Sequence, residues 1–360
     1  MKKIVFIIGS LGIGGAERVI SILANYFSKN GDDVSIILFY QYNRVDYILE
    51  KKIKIIPVKA RGGKLTRIQS RIDTLRDIFL SINPDLVISF LTEINIYTIM
   101  ATRKLNIPII ISERNDPKND PKQIILRILR RITYKRSNGI VFQTEQAKEY
   151  FKKLNIKTAV IPNPISANLP DTCAYNKRKN TIVAVCRLTE QKNIPMLIDA
   201  FSMLPAEIKT SYVIEIYGEG PLKEKLQTLV DEKKLTQSVM FKGFSKNVYA
   251  DILNAKLYVS TSNYEGISNS MLEALALGIP TICTDCPVGG ARLAIQDDYN
   301  GILIEVGNVD QLKKAMIHVL KDESYAMEIS SHYMETREKF SERSIIALWE
   351  KFIEEILCNE

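Results

Sequence analysis

The chain has 360 residues, of which 46% are hydrophobic and 25% are charged, and 49 Lys and Arg against 41 Asp and Glu give a formal charge of +8. This composition is typical of a soluble globular protein of about two domains and excludes a disordered chain. No uncharged stretch exceeds 13 residues, so we expect no helix that crosses a membrane.

The first half alternates apolar runs with amphipathic segments. A continuous apolar run at 4–8 is expected for a strand buried on both faces, and it favours a first strand over a secretory signal. A Gly-rich turn and a helix over about 15–29 follow. Further elements are strands at 34–40, 54–58, 85–91, 107–112, 139–143 and 158–161, and a basic helix at 65–82.

A Pro- and Asn-rich stretch at 166–180 is the predicted linker between a first domain, 1–165, and a second, 181–340. Residues 341–360 are expected to form a helix that crosses back to the first domain. The second series comprises strands at 181–185, 212–217, 239–243, 257–260, 281–283 and 301–304, and helices near 194–204, 222–234, 247–254, 268–277, 289–295 and 309–321.

Alternation of strands and helices in both halves predicts an α/β protein with two doubly wound, Rossmann-like parallel sheets. Ligands of such sheets bind at the carboxyl ends of the strands. We therefore expect the ligand site in a cleft between the halves.

The turn after the first strand contains Gly9, Gly12, Gly14 and Gly15, which let backbone N–H groups approach an anion at a helix start. It is not a dinucleotide fingerprint, because Glu17 stands where the third glycine belongs. It is not a P-loop either, since no Gly-Lys-Ser/Thr follows. A phosphate contact and a plain tight turn both remain open.

Two cations follow the strand at 181–185. Arg187 comes two residues after the strand, and Lys192 comes five residues later, before a helix. A planar guanidinium and a point-charge ammonium together suit a diphosphate, while solvated surface charge is the alternative.

Two carboxylates follow the strand at 257–260. Glu265 falls in the loop, and Glu273 falls two turns into the next helix. Between them, Gly266 and a polar helix start offer free N–H groups to phosphate or hydroxyl oxygens. One carboxylate could bind sugar hydroxyls and the other a ribose.

Together these segments resemble family-4 glycosyltransferases of the GT-B fold, over essentially the whole chain. The matching segments are G-G-A-E-R at 14–18, S-E-R-N-D-P at 112–117, V-C-R-L-T-E-Q-K-N at 185–193, Y-G-E-G-P-L at 217–222, F-K-G-F at 241–244 and Y-E-G-I-S-N-S-M-L-E-A-L-A-L-G-I-P at 264–280. No single segment is specific for this family, but the combination of all six in this order is.

The resemblance implies a retaining transferase that uses a nucleotide sugar and needs no metal, in agreement with the absence of Asp-x-Asp. Glu265, Arg187 and Lys192 would be the catalytic group, with the two cations stabilising the departing diphosphate. The donor-binding residues that it implies are Gly14, Gly15, Gly218, Gly243, Phe244, Gly266, Ile267, Ser268, Asn269 and Glu273.

One segment departs from the family. Many relatives carry a His near the donor sugar where this chain has Ser112, Glu113, Arg114 and Asn115, and the first half has no His. We place Glu113, Arg114 and Asn115 on the acceptor side, with a surface role as the alternative.

The charge is split between the halves: residues 1–170 carry 28 basic and 14 acidic side chains, and residues 171–360 carry 21 and 27. An anionic membrane surface and a polyprenyl-diphosphate-linked saccharide are the partners that we expect for the basic half, and we expect no nucleic acid. The basic side chains form two groups, Lys51, Lys52, Lys54, Lys59, Arg61, Lys64, Arg67 and Arg71, then Arg127, Arg130, Arg131, Lys135 and Arg136.

The predicted function is transfer of a hexose or N-acetylhexosamine, from a UDP-sugar on resemblance alone, to a lipid-linked saccharide of a surface polysaccharide such as capsule or O-antigen. Few and odd-numbered cysteines indicate a reducing compartment, so we expect a cytoplasmic protein at the inner face of the cell membrane. A nucleotide-sugar epimerase and a non-catalytic sugar-nucleotide-binding subunit are the alternatives.

Overall fold

The structure is a computed structural model that describes residues 1–12, 14–40, 47–59 and 66–358. Contacts divide the chain into two compact units. The first unit joins Met1–Pro164 to Ile345–Glu360, and the second is Ile165–Ser344.

The strands come from the short apolar runs of the sequence. Their bounds are β1 Lys3–Ile8, β2 Asp33–Leu38, β3 Lys54–Pro57, β4 Leu86–Phe90, β5 Ile109–Ser112, β6 Gly139–Phe142, β7 Lys157–Val160, β8 Lys179–Val185, β9 Val213–Tyr217, β10 Val239–Gly243, β11 Ala255–Ser260, β12 Thr281–Thr284 and β13 Ile302–Ile304.

Helices follow nearly every strand. Their bounds are α1 Gly15–Lys29, α2 Arg67–Ile82, α3 Thr92–Ala101, α4 Ile124–Thr133, α5 Glu145–Tyr150, α6 Ile194–Ser202, α7 Ala206–Ser211, α8 Lys223–Glu232, α9 Val248–Ile252, α10 Asn269–Ala276, α11 Gly290–Ala294, α12 Val309–Lys321, α13 Glu323–Ser331, α14 Tyr333–Lys339 and α15 Glu342–Leu357.

The first unit is a parallel sheet in the order β3-β2-β1-β4-β5-β6-β7. Its central strands are apolar on both faces because helices cover both sides. One of the two cores contains the C-terminal helix α15, whose Trp349 is fully buried and stacks on Phe90.

The second unit is a parallel sheet in the order β10-β9-β8-β11-β12-β13. Both sheets therefore have doubly wound topology, and the predicted α/β fold class is confirmed. The strand order reverses between β1 and β4 in the first unit and between β8 and β11 in the second. Loops after such strands leave a crevice where ligands bind.

The stretch 166–180 packs on the second unit. Tyr175 is buried in one of its cores. The Arg178 guanidinium donates to four carbonyl oxygens, those of Leu253, Ala255, Leu277 and Gly278, at 2.6 to 3.1 Å. This stretch is thus part of the second unit, which begins at Ile165.

None of the described helices is both long and apolar enough to span a bilayer. The predicted second series lacks the short helix α7, which lies directly before β9, and the helices α13 and α14, which follow α12. Arg61 and Lys64, two members of the first basic group, lie outside the described residues.

Candidate active site

The site in the second unit begins at the strand reversal. The loop after β8 carries Lys192 in a short 3-10 turn, and the loop after β11 carries Glu265. Because β8 and β11 are parallel neighbours, their carboxyl ends lie at the same edge of the sheet. The fold thus brings both loops to one place.

Hydrogen bonds join these two loops directly. The Asn263 N–H donates to the Gln191 carbonyl at 2.7 Å, and the Gln191 amide donates to the Tyr264 carbonyl at 2.9 Å. The Thr261 hydroxyl donates to the Lys192 carbonyl at 3.0 Å. Neither loop is therefore positioned without the other.

Lys192 and Glu265 form an ion pair across the joined loops. The Lys192 ammonium donates to both carboxylate oxygens, at 2.7 Å for Oε2 and closer for Oε1. Both side chains are largely buried, with 13% and 17% exposed. Burial lowers the pKa of Lys192, but attraction to Glu265 and the hydrogen bonds outweigh it, so this pKa lies above its usual value.

Arg187 stands beside this pair at the end of β8 and is exposed. Its positive charge is close enough to lower the pKa of Lys192. Across the described ranges no carboxylate pairs with Arg187. Its guanidinium is therefore available to an incoming anion.

The ends of β9 and β10 need glycine. Gly218 has φ 125°, and a Cβ there would fall on the Cys186 carbonyl oxygen. Gly243 has φ 71°, and a Cβ there would lie 2.9 Å from the Glu219 carboxylate. The Gly218 N–H donates to the Gly243 carbonyl at 2.8 Å, so the two predicted donor-binding glycines lie together.

A cavity of about 420 Å³ opens beside Gly243. Phe244 is half exposed at its wall, and Lys242 pairs with Glu215 at 3.4 Å. One aromatic wall with polar groups around it suits a flat heterocycle. The lining residues are Tyr217, Lys242, Phe244, Ser245, Lys246, Asn247 and Asp251.

The start of α10 is held in place from outside. Ser268 caps it, its hydroxyl accepting from the Met271 N–H at 3.4 Å. A Cβ on Gly290 would fall on the Gly266 carbonyl oxygen, so the two backbones are in direct contact. The segment from Gly266 through Ile267 to the first helical residue, Asn269, is thus fixed before any ligand arrives.

Glu273 lies inside the second unit rather than on its surface. It is 4% exposed and accepts a hydrogen bond from the Tyr249 hydroxyl at 3.0 Å. This bond fixes the carboxylate on the inner face of α10.

The glycine-rich turn of the first unit leads into α1. Gly14 is its N-cap in extended conformation, and Gly15 is the first helical residue. The Tyr47 hydroxyl accepts from the Gly14 N–H at 3.3 Å and donates to the Gly14 carbonyl at 2.8 Å. A Cβ on Gly14 would lie against the Glu17 carboxylate, so a larger residue here would displace that side chain.

Glu113, expected on the acceptor side, is buried within the first unit and 2% exposed. Tyr134 donates a short hydrogen bond to it, and the Thr92 hydroxyl donates at 3.0 Å. Arg130 lies 3.9 Å away. Burial raises the pKa of Glu113 in spite of these partners, and the carboxylate connects β5 to α3 and α4.

The position of Arg130 differs from the one expected from the sequence. We expected it on the basic surface of a helix, but it is fully buried. Its guanidinium donates to the carbonyls of Asp120 and Pro117, each at 2.8 Å. Arg130 therefore fixes the loop after β5, in which Asn115 accepts from the Asp116 N–H at 2.9 Å.

Arg114 has the most unusual environment of the loop. Its guanidinium lies over Phe90 and Trp349, 4.8 and 5.6 Å from the ring centres, and Nη1 donates to Asn163 at 3.0 Å. Nε and Nη2 are buried and have no acceptor in the described part of the chain. Burial lowers the pKa of Arg114 to about 9.

Nε and Nη2 form one edge of the guanidinium, and this edge matches two oxygens of a phosphate or carboxylate. Buried polar groups without partners are rare in proteins, and a ligand is one of the explanations. Arg114 is thus a candidate anion ligand in the first unit.

Several residues of the site were missed by sequence reasoning. Gln191, Thr261 and Asn263 join the two loops, and Tyr249 holds Glu273. Their hydrogen bonds run between distant segments, so no local pattern announces them. Leu91, with φ 77° directly after β4 at the strand reversal of the first unit, is a backbone feature that the sequence did not indicate.

Cys283 and Cys286 are buried and structural in character. Burial raises the pKa of Cys283 above its usual value and that of Cys286 to about 12, so both are thiols at neutral pH. Among residues 1–12, 14–40, 47–59 and 66–358, no three His, Cys, Asp or Glu side chains are grouped as metal ligands.

Two family models match successive parts of the chain. "Glycosyltransferase Family 4" matches residues 13–169 and "Glycosyl transferases group 1" matches residues 169–345. A Campylobacter jejuni enzyme, GalNAc-alpha-(1->4)-GalNAc-alpha-(1->3)-diNAcBac-PP-undecaprenol alpha-1,4-N-acetyl-D-galactosaminyltransferase, is 30% identical over 99% of this chain and 99% of its own length. The chain belongs to the GT-B glycosyltransferases of family 4. It is accordingly an enzyme of the glycosyltransferase class.

A second relative and a solved structure are also similar to this chain. A second C. jejuni enzyme, N-acetylgalactosamine-N,N'-diacetylbacillosaminyl-diphospho-undecaprenol 4-alpha-N-acetylgalactosaminyltransferase, is 27% identical over 90% of this chain and 91% of its own. The solved structure of Anabaena HepE in complex with UDP and glucose covers 99% of this chain and all of its own, with TM-score 0.84 and 16% identity. At that identity the similarity concerns the fold.

Proposed function

We propose that this glycosyltransferase transfers a hexose or N-acetylhexosamine from a UDP-sugar to a lipid-linked saccharide in surface polysaccharide synthesis. The Lys192–Glu265 pair, held between the joined loops at the strand reversal, is the observation that carries the proposal. Relatives whose names specify undecaprenol-diphosphate saccharides support the acceptor class, and HepE with UDP supports the nucleotide.

The charges of the second unit suggest how a donor binds. Glu265 accepts hydrogen bonds from hydroxyls of the donor sugar, while Lys192 turns from that carboxylate towards the diphosphate. Arg187, which has no carboxylate partner in the described chain, contributes the second cation. Both cations stabilise the charge that develops on the leaving phosphate.

The remaining donor contacts follow from the fixed backbone. Gly266, Ile267, Ser268 and Asn269 bind sugar and phosphate oxygens through N–H groups at the start of α10. Other predicted donor ligands are Glu273 for the ribose, Gly218, Gly243 and Phe244 for the nucleobase in the adjacent cavity, and Gly14 and Gly15 for the phosphates.

We further propose that transfer retains the anomeric configuration. The acceptor hydroxyl attacks from the side of the departing phosphate, and that phosphate takes the hydroxyl proton as the sugar–phosphate bond breaks. Two cations beside the phosphate make this path independent of a divalent metal. Activity unchanged by EDTA is therefore expected.

The acceptor side belongs to the first unit in this proposal. The unpaired Nε–Nη2 edge of Arg114 supports binding of an anionic group, which we assign to the acceptor diphosphate. Glu113 positions this loop from inside rather than touching the acceptor, and Asn115 shapes it. The enzyme would then work at the inner face of the cell membrane as a peripheral protein.

A thermal-shift series with UDP-sugars and GDP-mannose, followed by transfer assays to a synthetic polyprenyl-diphosphate saccharide, tests the proposal. We expect stabilisation by a UDP-sugar and an α-linked product in NMR spectra. Conversion of the donor in the absence of acceptor would identify an epimerase instead. If the donor binds but no product forms with any lipid-linked acceptor, the protein would be a binding subunit.

A further inference from the structure

Helix α4 of the first unit has apolar residues on two sides. Leu126 and Leu129 face inward and pack against a core of the first unit. Ile124, Ile125, Ile128 and Ile132 face outward, 71%, 71%, 53% and 56% exposed. At 100° per residue these four positions fall within about 100° of arc. The exposed isoleucines therefore form one continuous stripe.

Such a stripe is unusual on a protein surface. Single exposed apolar residues are ordinary, but a contiguous patch marks an interaction site. A helix of a soluble domain normally shows polar residues opposite its buried face. On α4 the face opposite the buried one carries isoleucine instead of polar residues.

The charge around the stripe has one sign. Residues 121–144 contain no Asp or Glu, and Arg131, Lys135 and Arg136 are exposed, while Arg127 is half-buried. The positive charge thus stands without acidic neighbours in sequence. A stripe of isoleucine bordered by Lys and Arg is the pattern of helices that lie in a membrane interface.

We propose that α4 docks this protein on an anionic lipid bilayer by placing the four isoleucines among the outer acyl chains. Arg131, Lys135 and Arg136 then meet the lipid headgroups. The proposal deepens the proposed function, since it names the surface on which a lipid-linked acceptor would be met. It differs from charge attraction alone because it requires apolar insertion.

Flotation with vesicles of phosphatidylglycerol and phosphatidylcholine tests the insertion. We expect the Ile124→Ser, Ile128→Ser double variant to bind at least tenfold more weakly, both at low salt and at high salt. The Arg131→Gln, Lys135→Gln double variant should bind more weakly at low salt only, because high salt already screens those charges. Leu80→Ser, at a 60% exposed apolar position on α2, is the matched control and should bind normally.

Depth is measured with a tryptophan placed in the stripe. The single natural Trp349 is fully buried, so it contributes a constant background. Fluorescence of Ile128→Trp should be quenched by lipids brominated on the acyl chains, while Leu80→Trp should not. Equal quenching of both variants, or none, would overturn the proposal.

Two further outcomes separate this inference from others. If the isoleucine variants abolish a concentration-dependent dimer and leave vesicle binding intact, the stripe is a self-association surface and the membrane proposal is wrong. The isoleucine variants should retain transfer to a short-chain, water-soluble diphosphate acceptor. Strong vesicle binding with no transfer to any acceptor would contradict the proposed function and leave the docking helix standing.

Discussion

Lys192 and Glu265, 73 residues apart in the chain, are joined through both carboxylate oxygens in a largely buried site. The pair neutralises two charges that would otherwise be costly to bury. It also holds the Lys192 ammonium beside the position proposed for the leaving diphosphate. If the Lys192 ammonium left the Glu265 carboxylate for the donor phosphate, donor binding would free that carboxylate.

The carboxylate of Glu265 is therefore expected to be essential for transfer. Glu265→Ala should lower kcat/KM by about 100-fold or more, because the donor sugar loses the group that orients it. Steady-state transfer assays measure the loss, and circular dichroism checks that the variant is folded. Glu190→Ala, an exposed carboxylate in the neighbouring loop, is the control. Near-native transfer by Glu265→Ala would contradict the site assignment.

The raised pKa of Lys192 predicts a pH dependence of stability. A base whose pKa is higher in the folded state stabilises the protein at pH values below its unfolded-state pKa, usually 10.5, and loses this contribution as the pH rises through the higher folded-state value. The difference in unfolding free energy between the natural protein and Lys192→Met should thus be constant from pH 7 to about 10 and shrink above that. Urea titrations at each pH measure it. A difference that grows at alkaline pH would argue against the pair.

Arg114 is expected to bind an anion through its unpaired edge. Arg114→Gln should raise the KM for a diphosphate-linked acceptor by about 10- to 100-fold, since hydrogen bonds to charged groups contribute about 1.5 to 3 kcal/mol. Arg114→Lys should recover only part of this, because an ammonium lacks the planar fork.

The control for Arg114 is Arg103→Gln, an exposed position of the same unit. If Arg114→Gln raised the KM for the nucleotide sugar and left that for the acceptor unchanged, the anion bound by Arg114 would belong to the donor.

Glu113 is expected to support folding rather than chemistry. Glu113→Ala leaves the buried Arg130 without its counter-charge and removes the acceptor of Tyr134 and Thr92. A loss of about 3 to 5 kcal/mol in unfolding free energy of the first unit follows. Urea unfolding followed through Trp349 measures it, with Glu145→Ala, whose side chain is 70% exposed, as control. A fully stable but inactive Glu113→Ala would instead point to a direct role in transfer.

Arg178 should be equally important in the second unit. Arg178→Met removes the guanidinium donor from four carbonyl oxygens, three of them in buried hydrogen bonds, at about 1 to 3 kcal/mol for each group that is left unpaired and that water cannot reach. We expect a thermal transition lowered by several degrees or more. Lys177→Met, at the exposed neighbouring position, should leave the transition temperature unchanged. Equal transition temperatures for the two variants would contradict this prediction.

The order of strands and helices was readable from the sequence, because strands buried on both faces are short apolar runs between Gly, Pro and polar turns. The sequence also assigned Lys192 and Glu265 to loops at the carboxyl ends of strands. It did not predict their ion pair, since pairing depends on which strands are neighbours in the sheet and on hydrogen bonds such as that from Thr261.

The directions of side chains were the least predictable feature. Glu113, Arg114 and Asn115 are consecutive, yet the first is internal, the second lies on aromatic rings and the third caps its own loop. On α4 the sequence revealed positive charge, but not that four isoleucines are exposed while Arg130 is buried. An apolar residue of a helix is ordinarily assigned to the core, and only the packing of Leu126 and Leu129 identifies the other face.

The return of α15 to the first unit has a consequence for biosynthesis. The ribosome completes the 180 residues of the second unit before it makes Trp349, which fills the core beside Phe90. At about 5 to 20 residues per second, the first unit waits roughly 10 to 40 s with that core unfinished. The nascent chain therefore acquires a complete first unit only when α15 has been made, and premature termination within the second unit leaves both units incomplete.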